Sequence, residues 1–258
     1  MSSILFEIKN SIAFITLNRP EKFNSFNREM ALSLQKRLDE ADEDKNVRCV
    51  YMTGAGKAFC AGQDLAEIVD PNGPGIEKNL SEHYNPIITR IRNLNKPVIA
   101  AVNGVAAGAG ANIALCCDIV LAKESATFIQ AFSKIGLVPD SSGTFFLPRL
   151  IGFQKANALM MLGDKISSAE AERIGMIYKV FADDIFENES TKIAETLAAM
   201  PTKALALIKQ ALNNSLSNNL QQQLNLEDEL QQKAGSTFDF KEGVQAFLEK
   251  RPPVFKGE

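Results

Sequence analysis

The longest apolar stretch of the chain, residues 98–122, reads VIAAVNGVAAGAGANIALCCDIVLA. It is long enough to span a bilayer, but Asn103, Asn112 and Asp118 interrupt it and glycines stand at 104, 108 and 110, a composition that hydrocarbon disfavours. It therefore reads as a buried strand over Val98–Val102 ended by Gly104, a small-residue loop and helix, and a second strand over Asp118–Ala122. Upstream, Cys49–Thr53 has the same pattern, ended by Gly54 and Gly56. Between the chain start and that strand, Asn27–Asp44 places Ala31, Leu34, Leu38 and Ala41 at i, i+3, i+7 and i+10, which predicts an amphipathic helix. Residues 4–8 and 12–18, joined by Lys9-Asn10-Ser11, predict a hairpin forming an antiparallel edge. Strand and helix alternate, so the fold class is α/β with a mostly parallel sheet.

After Gly152 the texture changes. Helices are expected over 153–162, 168–174, 184–200, 202–214, 217–234 and 239–250, with a short strand at Tyr178–Phe181 and Pro201 at a helix N1 position. Asn213, Asn214, Asn218, Asn219 and Gln221–Gln223 form a polar, solvated face. The breaker-dense run Asp70–Gly75 is expected to be a mobile surface loop.

At 258 residues, with 45% hydrophobic and 23% charged side chains, the chain can bury a core without disulfides or metal. A net charge of -3 with no basic run argues against a nucleic-acid partner. One histidine, His83, excludes a multi-histidine metal site within one chain, and no metal is expected. A lone surface histidine is the simplest reading of His83. Cys49, Cys60, Cys116 and Cys117 fit neither a metal nor a disulfide pattern and read as buried free thiols. No signal peptide is visible at the N-terminus, so a cytoplasmic location is expected. Whatever chemistry occurs is left to carboxylates, amides and backbone N–H groups.

Two stretches place glycine where a strand gives way to a helix: residues 54–65, GAGKAFCAGQDL, and residues 103–112, NGVAAGAGAN. Small residues there let a ligand approach the backbone, and a helix N-terminus offers unpaired N–H groups. Together they could form a two-donor oxyanion hole; equally, the glycines could serve only turns and close packing. A third stretch, residues 132–144, FSKIGLVPDSSGT, sets Asp140 after an apolar run. Either it caps the helix entering Phe145, or it is a proton shuttle with a raised pKa; spacing alone leaves both open.

The set Asn18-Arg19-Pro20, Phe59–Leu65, Ala101–Gly110, Gly136–Asp140 and Glu242–Arg251 resembles the crotonase, or enoyl-CoA hydratase/isomerase, superfamily along nearly the whole chain. Within it, Ser25-Phe26-Asn27, Gly62–Leu65 and Ile135–Asp140 are most similar to the ring-epoxyphenylacetyl-CoA isomerase branch of bacterial phenylacetate degradation. The resemblance implies a core of spiral ββα turns over 1–200 and a helical region over 201–258 used for trimerisation, with trimers or dimers of trimers. It implies an acyl-CoA thioester as substrate and no separate cofactor. It also implies catalytic roles for Asp140 as acid/base and for the backbone N–H groups of Gln63 and Ala109 on the thioester oxygen. Further implied contacts are Ala61, Gly62, Asp64, Leu65, Gly108, Asn112 and Phe132. CoA would thread between the Arg19–Phe23 loop, with Lys22 and Phe23, and the Lys57–Ala66 segment, with Lys57. Phe247 and Lys250 would reach the CoA of a neighbouring subunit. Hydratases of the family use two glutamates, and here those positions hold Asn112 and Phe132. Phenylalanine neither takes nor gives a proton, so the implied activity is a β,γ to α,β double-bond shift, and conversion of the ring epoxide to the oxepin. The alternatives are an enoyl-CoA hydratase or a non-catalytic acyl-CoA-binding partner.

Overall fold

The structure, a computed structural model, describes residues 2–71 and 73–258. Strands are β1 (Ile4–Lys9), β2 (Ile12–Leu17), β3 (Cys49–Gly54), β4 (Ala58–Cys60), β5 (Val98–Val102), β6 (Val105–Ala107), β7 (Ile119–Lys123), β8 (Thr127–Ile129), β9 (Lys165–Ser167) and β10 (Lys179–Phe181). They form two sheets. A six-stranded one runs β1-β2-β3-β5-β7-β10 and a four-stranded one β4-β6-β8-β9. Among the described residues, only β1 with β2 and β8 with β9 pair antiparallel. β3, β5 and β7 lie in the large sheet and are each followed by a short strand, β4, β6 and β8, in the small one. This is the spiral of ββα turns that the resemblance implied.

The helices are α1 (Arg28–Glu43), α2 (Leu65–Val69), α3 (Gly75–Lys78), α4 (Asn85–Asn93), α5 (Ala109–Cys116), α6 (Gly143–Ile151), α7 (Phe153–Leu162), α8 (Ser168–Arg173), α9 (Phe186–Ala199), α10 (Thr202–Ser215), α11 (Leu220–Gly235) and α12 (Phe238–Glu249). α1 begins where the sequence predicts, because the Asn27 side chain accepts from the Met30 N–H, and its buried stripe includes the four predicted residues. The central strands of the large sheet are buried on both faces. One faces the main core, and Ile12, Cys49, Tyr51, Ile99 and Leu121 on the other pack with Phe186, Ala194 and Ala198 of α9. That is why its central strands are continuous apolar runs.

Three expectations change. Pro201 is the N-cap of α10, at ψ 91°, one position before N1; its extended ψ keeps it outside the helix, where a missing N–H is equally harmless. Asp118 lies just outside β7, its carboxylate accepting from the Val98 N–H at 2.8 Å and pairing with Lys209 Nζ at 2.8 Å and Arg92 at 3.1 Å. The small sheet is absent from the sequence reading because its strands are three residues long, too short to show a period. Of the Asp70–Gly75 run, residue 72 lies outside the described residues, and α3 starts at Gly75. The four cysteines are free and buried, as expected. Among the described residues no helix is long and apolar enough to cross a membrane.

Lys209 is the buried link between α10 and the core: its Nζ also donates to the Ile91 carbonyl at 2.7 Å. Lys209→Ala is expected to cost ~2–4 kcal/mol, since it strips one cation from a largely buried carboxylate. Chemical denaturation compared with an exposed Lys203→Ala control measures this, and equal stability of the two variants would contradict it.

Candidate active site

The two glycine-rich stretches meet. Gly62, at φ +92°, has no room for a side chain: a Cβ there would lie 3.0 Å from the Ala107 carbonyl oxygen and 3.4 Å from the Ala109 nitrogen. Gly108, at φ 52° and ψ -128°, turns the chain from β6 into α5. Ala109 is the first residue of α5, so its N–H has no partner within the helix, and every residue of that helix is buried. Gln63 forms an isolated parallel bridge with Phe26, in which Phe26 N–H donates to the Gly62 carbonyl at 2.7 Å and Asp64 N–H to the Phe26 carbonyl at 2.8 Å. In a parallel bridge the central residue's own N–H points away from the partner strand. Among the described residues, neither the Gln63 nor the Ala109 N–H donates to protein. The first stretch differs from expectation in one respect: β4 intervenes, and the helix it leads to, α2, has five residues, so Gln63 gains its free N–H from the bridge and not from a helix end.

Asp140 follows the apolar run Leu137-Val138-Pro139 and precedes two residues in the left-handed region, Ser141 at φ 50° and Ser142 at φ 65°. That strained pair swings the chain into α6, whose N-cap, Ser142, makes no side-chain capping bond. The Asp140 carboxylate therefore does not cap the helix; its Oδ1 accepts from the Ser141 hydroxyl at 2.8 Å. Burial pushes its pKa above the ordinary aspartate value, and the Ser141 hydrogen bond partly opposes that rise. The Asp140 carbonyl accepts from Asn112 Nδ2 at 2.8 Å, and Asn112 Oδ1 accepts from Gln130 Nε2 at 2.8 Å. Asn112, fully buried on α5, thus ties the Asp140 loop to the same helix that offers the Ala109 N–H. Phe132 is buried in the turn Ala131–Ile135, its ring edge 3.8 Å from where a Gly108 Cβ would be, so an apolar wall stands beside the free N–H groups.

The other predicted residues fall into three groups. Phe23 and Ala61 join the two loops expected to flank CoA, with Ala61 N–H donating to the Phe23 carbonyl at 2.9 Å, while Asn24 Nδ2 ties Ala55 and Ala58 from the same side. Lys22, Lys57 and Leu65 are exposed there. Asp64 is occupied structurally: it caps α2 through the Ala66 N–H and pairs with Arg19 at 2.9 Å. Phe247 is exposed on the last helix, which packs on α11 and the C-terminal tail, and Lys250, expected on that helix, is instead its exposed C-cap at φ 54°, where the left-handed backbone ends the helix.

His83 contradicts the surface reading: it is 1% exposed. The segment Asn79–Tyr84 winds in wide π-type turns, which brings both His83 and Tyr84 inward. His83 Nδ1 lies 2.7 Å from Asn79 Oδ1, and Nε2 lies 3.0 Å from Arg28 Nη1. The guanidinium is donor only, so Nε2 accepts and Nδ1–H donates; burial and Arg28 hold the pKa below the usual histidine value. Sequence reasoning missed Tyr84, Ser141 and Gln130. Only Ser141 carried a signal, as a hydroxyl next to the candidate carboxylate. The Cys60 thiol, beside Gly62, is pushed up to about 12 by burial and is no nucleophile near neutrality.

This arrangement has two free N–H groups, one carboxylate of raised pKa and an apolar wall, and comparison with known proteins gives it a lineage. The sequence profile described as enoyl-CoA hydratase/isomerase matches residues 7–258. The chain belongs to that family. It is 48% identical, over the full length of both chains, to the 1,2-epoxyphenylacetyl-CoA isomerase of Escherichia coli K12. It is 46% identical to a probable enoyl-CoA hydratase of Rhodobacter capsulatus, covering 99% of this chain and 98% of that one. The crystal structure of an enoyl-CoA hydratase/isomerase from Mycobacterium abscessus, described there as putative, superimposes with a TM-score of 0.93 at 36% identity, covering 99% of this chain and all of that one. The crotonase fold expected from the motifs is the fold of the chain.

The Asp140 carboxyl is expected to titrate above ~3.9, the value of an unperturbed aspartate. Because the Ser141 hydroxyl favours the charged form, Ser141→Ala should move that titration further up. Carbon-13 NMR of labelled aspartate measures both, and a downward move in the variant would refute the assigned role of the hydroxyl.

Proposed function

We propose that the chain is an acyl-CoA isomerase that shifts a β,γ double bond into α,β conjugation and converts ring-1,2-epoxyphenylacetyl-CoA to the oxepin thioester. The observation that carries this reading is the setting of Asp140: a carboxylate free of any capping duty, tied to the helix whose first N–H is unpartnered. The thioester oxygen accepts from the Gln63 and Ala109 N–H groups, which stabilise the enolate formed when Asp140 takes a proton from the α-carbon. A preorganised donor of this kind is typically worth ~3–4 kcal/mol. The proton returns from Asp140 to the γ-carbon, so the base is regenerated and no cofactor takes part; coenzyme A is carried by the substrate. In the ring epoxide the same enolate chemistry accompanies ring expansion.

Hydration is disfavoured on specific grounds. Adding water across a double bond needs a group to activate the water and a proton for the neighbouring carbon. At the two positions where family hydratases carry glutamate, this chain has an amide already engaged with the Asp140 carbonyl and Gln130, and a phenyl ring. The CoA moiety lies along the two joined loops, near Lys22, Phe23, Lys57, Ala61 and Leu65. Residues 1–200 form the catalytic core, and residues 201–258 serve assembly into trimers or paired trimers, where Phe247 and Lys250 meet a neighbouring subunit's CoA. The protein acts in the cytoplasm, in phenylacetate catabolism.

Purified protein is expected to isomerise a β,γ-enoyl-CoA and ring-epoxyphenylacetyl-CoA, with negligible hydration of crotonyl-CoA. Asp140→Asn should lower kcat by at least ~10³-fold, an upper-range loss for a general base that serves both proton transfers. The rate of the unaltered protein against pH should fall on the acid side, since only the deprotonated Asp140 carboxylate accepts a proton. An undiminished rate in Asp140→Asn removes that residue from its role, and robust hydration of crotonyl-CoA restores the hydratase alternative. Thioester binding without turnover of any of these substrates points to the non-catalytic partner.

A further inference from the structure

Tyr84 is buried, 1% exposed, and its ring packs edge-on against Phe26 with centroids 5.9 Å apart and planes at 72°. Its hydroxyl donates to Gln63 Oε1 at 2.8 Å. The other end of the same carboxamide, Gln63 Nε2, donates to Glu67 Oε2 at 3.2 Å and to the Asp64 carbonyl at 3.3 Å. Glu67 in turn accepts from the backbone N–H of Arg28, the first residue of α1, at 2.9 and 3.1 Å. A continuous hydrogen-bonded chain therefore runs from the N-terminus of α1 through Glu67 and Gln63 to Tyr84, and the Tyr84–Phe26 contact closes it into a ring. Phe26 is also the residue that grips the Gln63 backbone.

We propose that Tyr84 is a positioning residue for the oxyanion donor at Gln63, its hydroxyl fixing the Gln63 side chain and through it the aim of the Gln63 N–H. The inference rests on the acyl-CoA isomerase reading given above. The Phe26 bridge holds the two peptides flanking Gln63 from one side only, through the Gly62 carbonyl and the Asp64 N–H. A side chain held at both ends adds a second, independent restraint on residue 63. An enolate gains most from donors that need no reorganisation at the moment charge develops, so the loss of this hold appears in the transition state more than in substrate binding. Two features make Tyr84 suited to it. Burial raises its pKa, so the hydroxyl keeps its proton to donate throughout the working range, and Gln63 Oε1 can only accept. The π-type turns of Asn79–Tyr84 hold the ring in the interior.

The experiment is a double-variant cycle with Tyr84→Phe, which keeps the ring on Phe26, and Gln63→Met, which keeps the backbone N–H and approximate length. Each single change is expected to lower kcat for a β,γ-enoyl-CoA about tenfold, the worth of one well-made hydrogen bond, with KM within about twofold. The double variant should be no slower than either single one, because both remove the same link. Unchanged kcat in Tyr84→Phe, a loss carried by KM, or losses that multiply in the double variant would each overturn the proposal. A second readout needs no turnover. Acetoacetyl-CoA ionises to a near-ultraviolet-absorbing enolate, and bound to Asp140→Asn its ionisation midpoint reports the two N–H donors. Adding Tyr84→Phe should raise that midpoint, by up to about one pH unit for a tenfold effect. Binding with an unmoved midpoint overturns the role of Tyr84 alone; failure of acetoacetyl-CoA to bind overturns the acyl-CoA reading with it.

Discussion

Backbone N–H groups in a folded interior are almost always paired, and an unpaired one is expensive. The organisation of this molecule follows from keeping two of them free at one place. Ala109 is free because a helix must start there, and Gln63 because a single-residue bridge to Phe26 consumes the peptides on either side and leaves its own donor facing out. Bringing the two together requires glycine at 62, since any side chain would strike the Ala107 carbonyl. The two-sheet spiral meets this requirement by delivering β4 and β6 side by side, so that the chain leaving each strand arrives at the same spot.

The same helix that presents one of the free N–H groups also holds the Asp140 loop. Asn112, three residues along α5 from Ala109, donates to the Asp140 carbonyl, so the loop that carries the candidate base is tied to the buried helix that begins at the candidate donor. Gln130 orients Asn112 by occupying its carbonyl oxygen, which leaves Nδ2 for Asp140. Farther out, Lys209 and Arg92 converge on Asp118, and Arg48 reaches Thr202 and the carbonyls of Met200 and Phe255. These contacts fasten the C-terminal helices to the core without touching the site.

Much of this was legible in the sequence where burial imposes a period. α1 could be read to its capping residue, and the central strands β3, β5 and β7 to within a residue, because a sheet covered on both faces demands unbroken apolar runs. The small sheet was not legible, since three-residue strands carry no period. At the candidate site, the family resemblance singled out Gln63 and Ala109, and the two glycine-rich stretches and the apolar run before Asp140 were legible from glycine and proline punctuation. Tyr84 and the burial of His83 were not, because π-type winding breaks the helical spacing from which a buried face would be read. For Asp64 the structure adds what the motif does not say: its carboxylate pairs with Arg19 and caps the start of α2.

The replacement of two carboxylates by Asn112 and Phe132 has a consequence beyond losing a means to activate water. Three carboxylates in one small apolar space would repel, raising one another's pKa values and blurring which of them is ionised. With an amide at 112 and a ring at 132, Asp140 is shifted chiefly by burial and is opposed by one hydroxyl. Its proton affinity is then governed by local packing and Ser141, not by the state of a neighbour. A lone carboxylate of this kind suits a reaction in which one group must both take and return the proton. In the proposed isomerisation each transfer would leave the carboxyl in the form the next one needs, and Phe132 sets an apolar surface beside the free N–H groups.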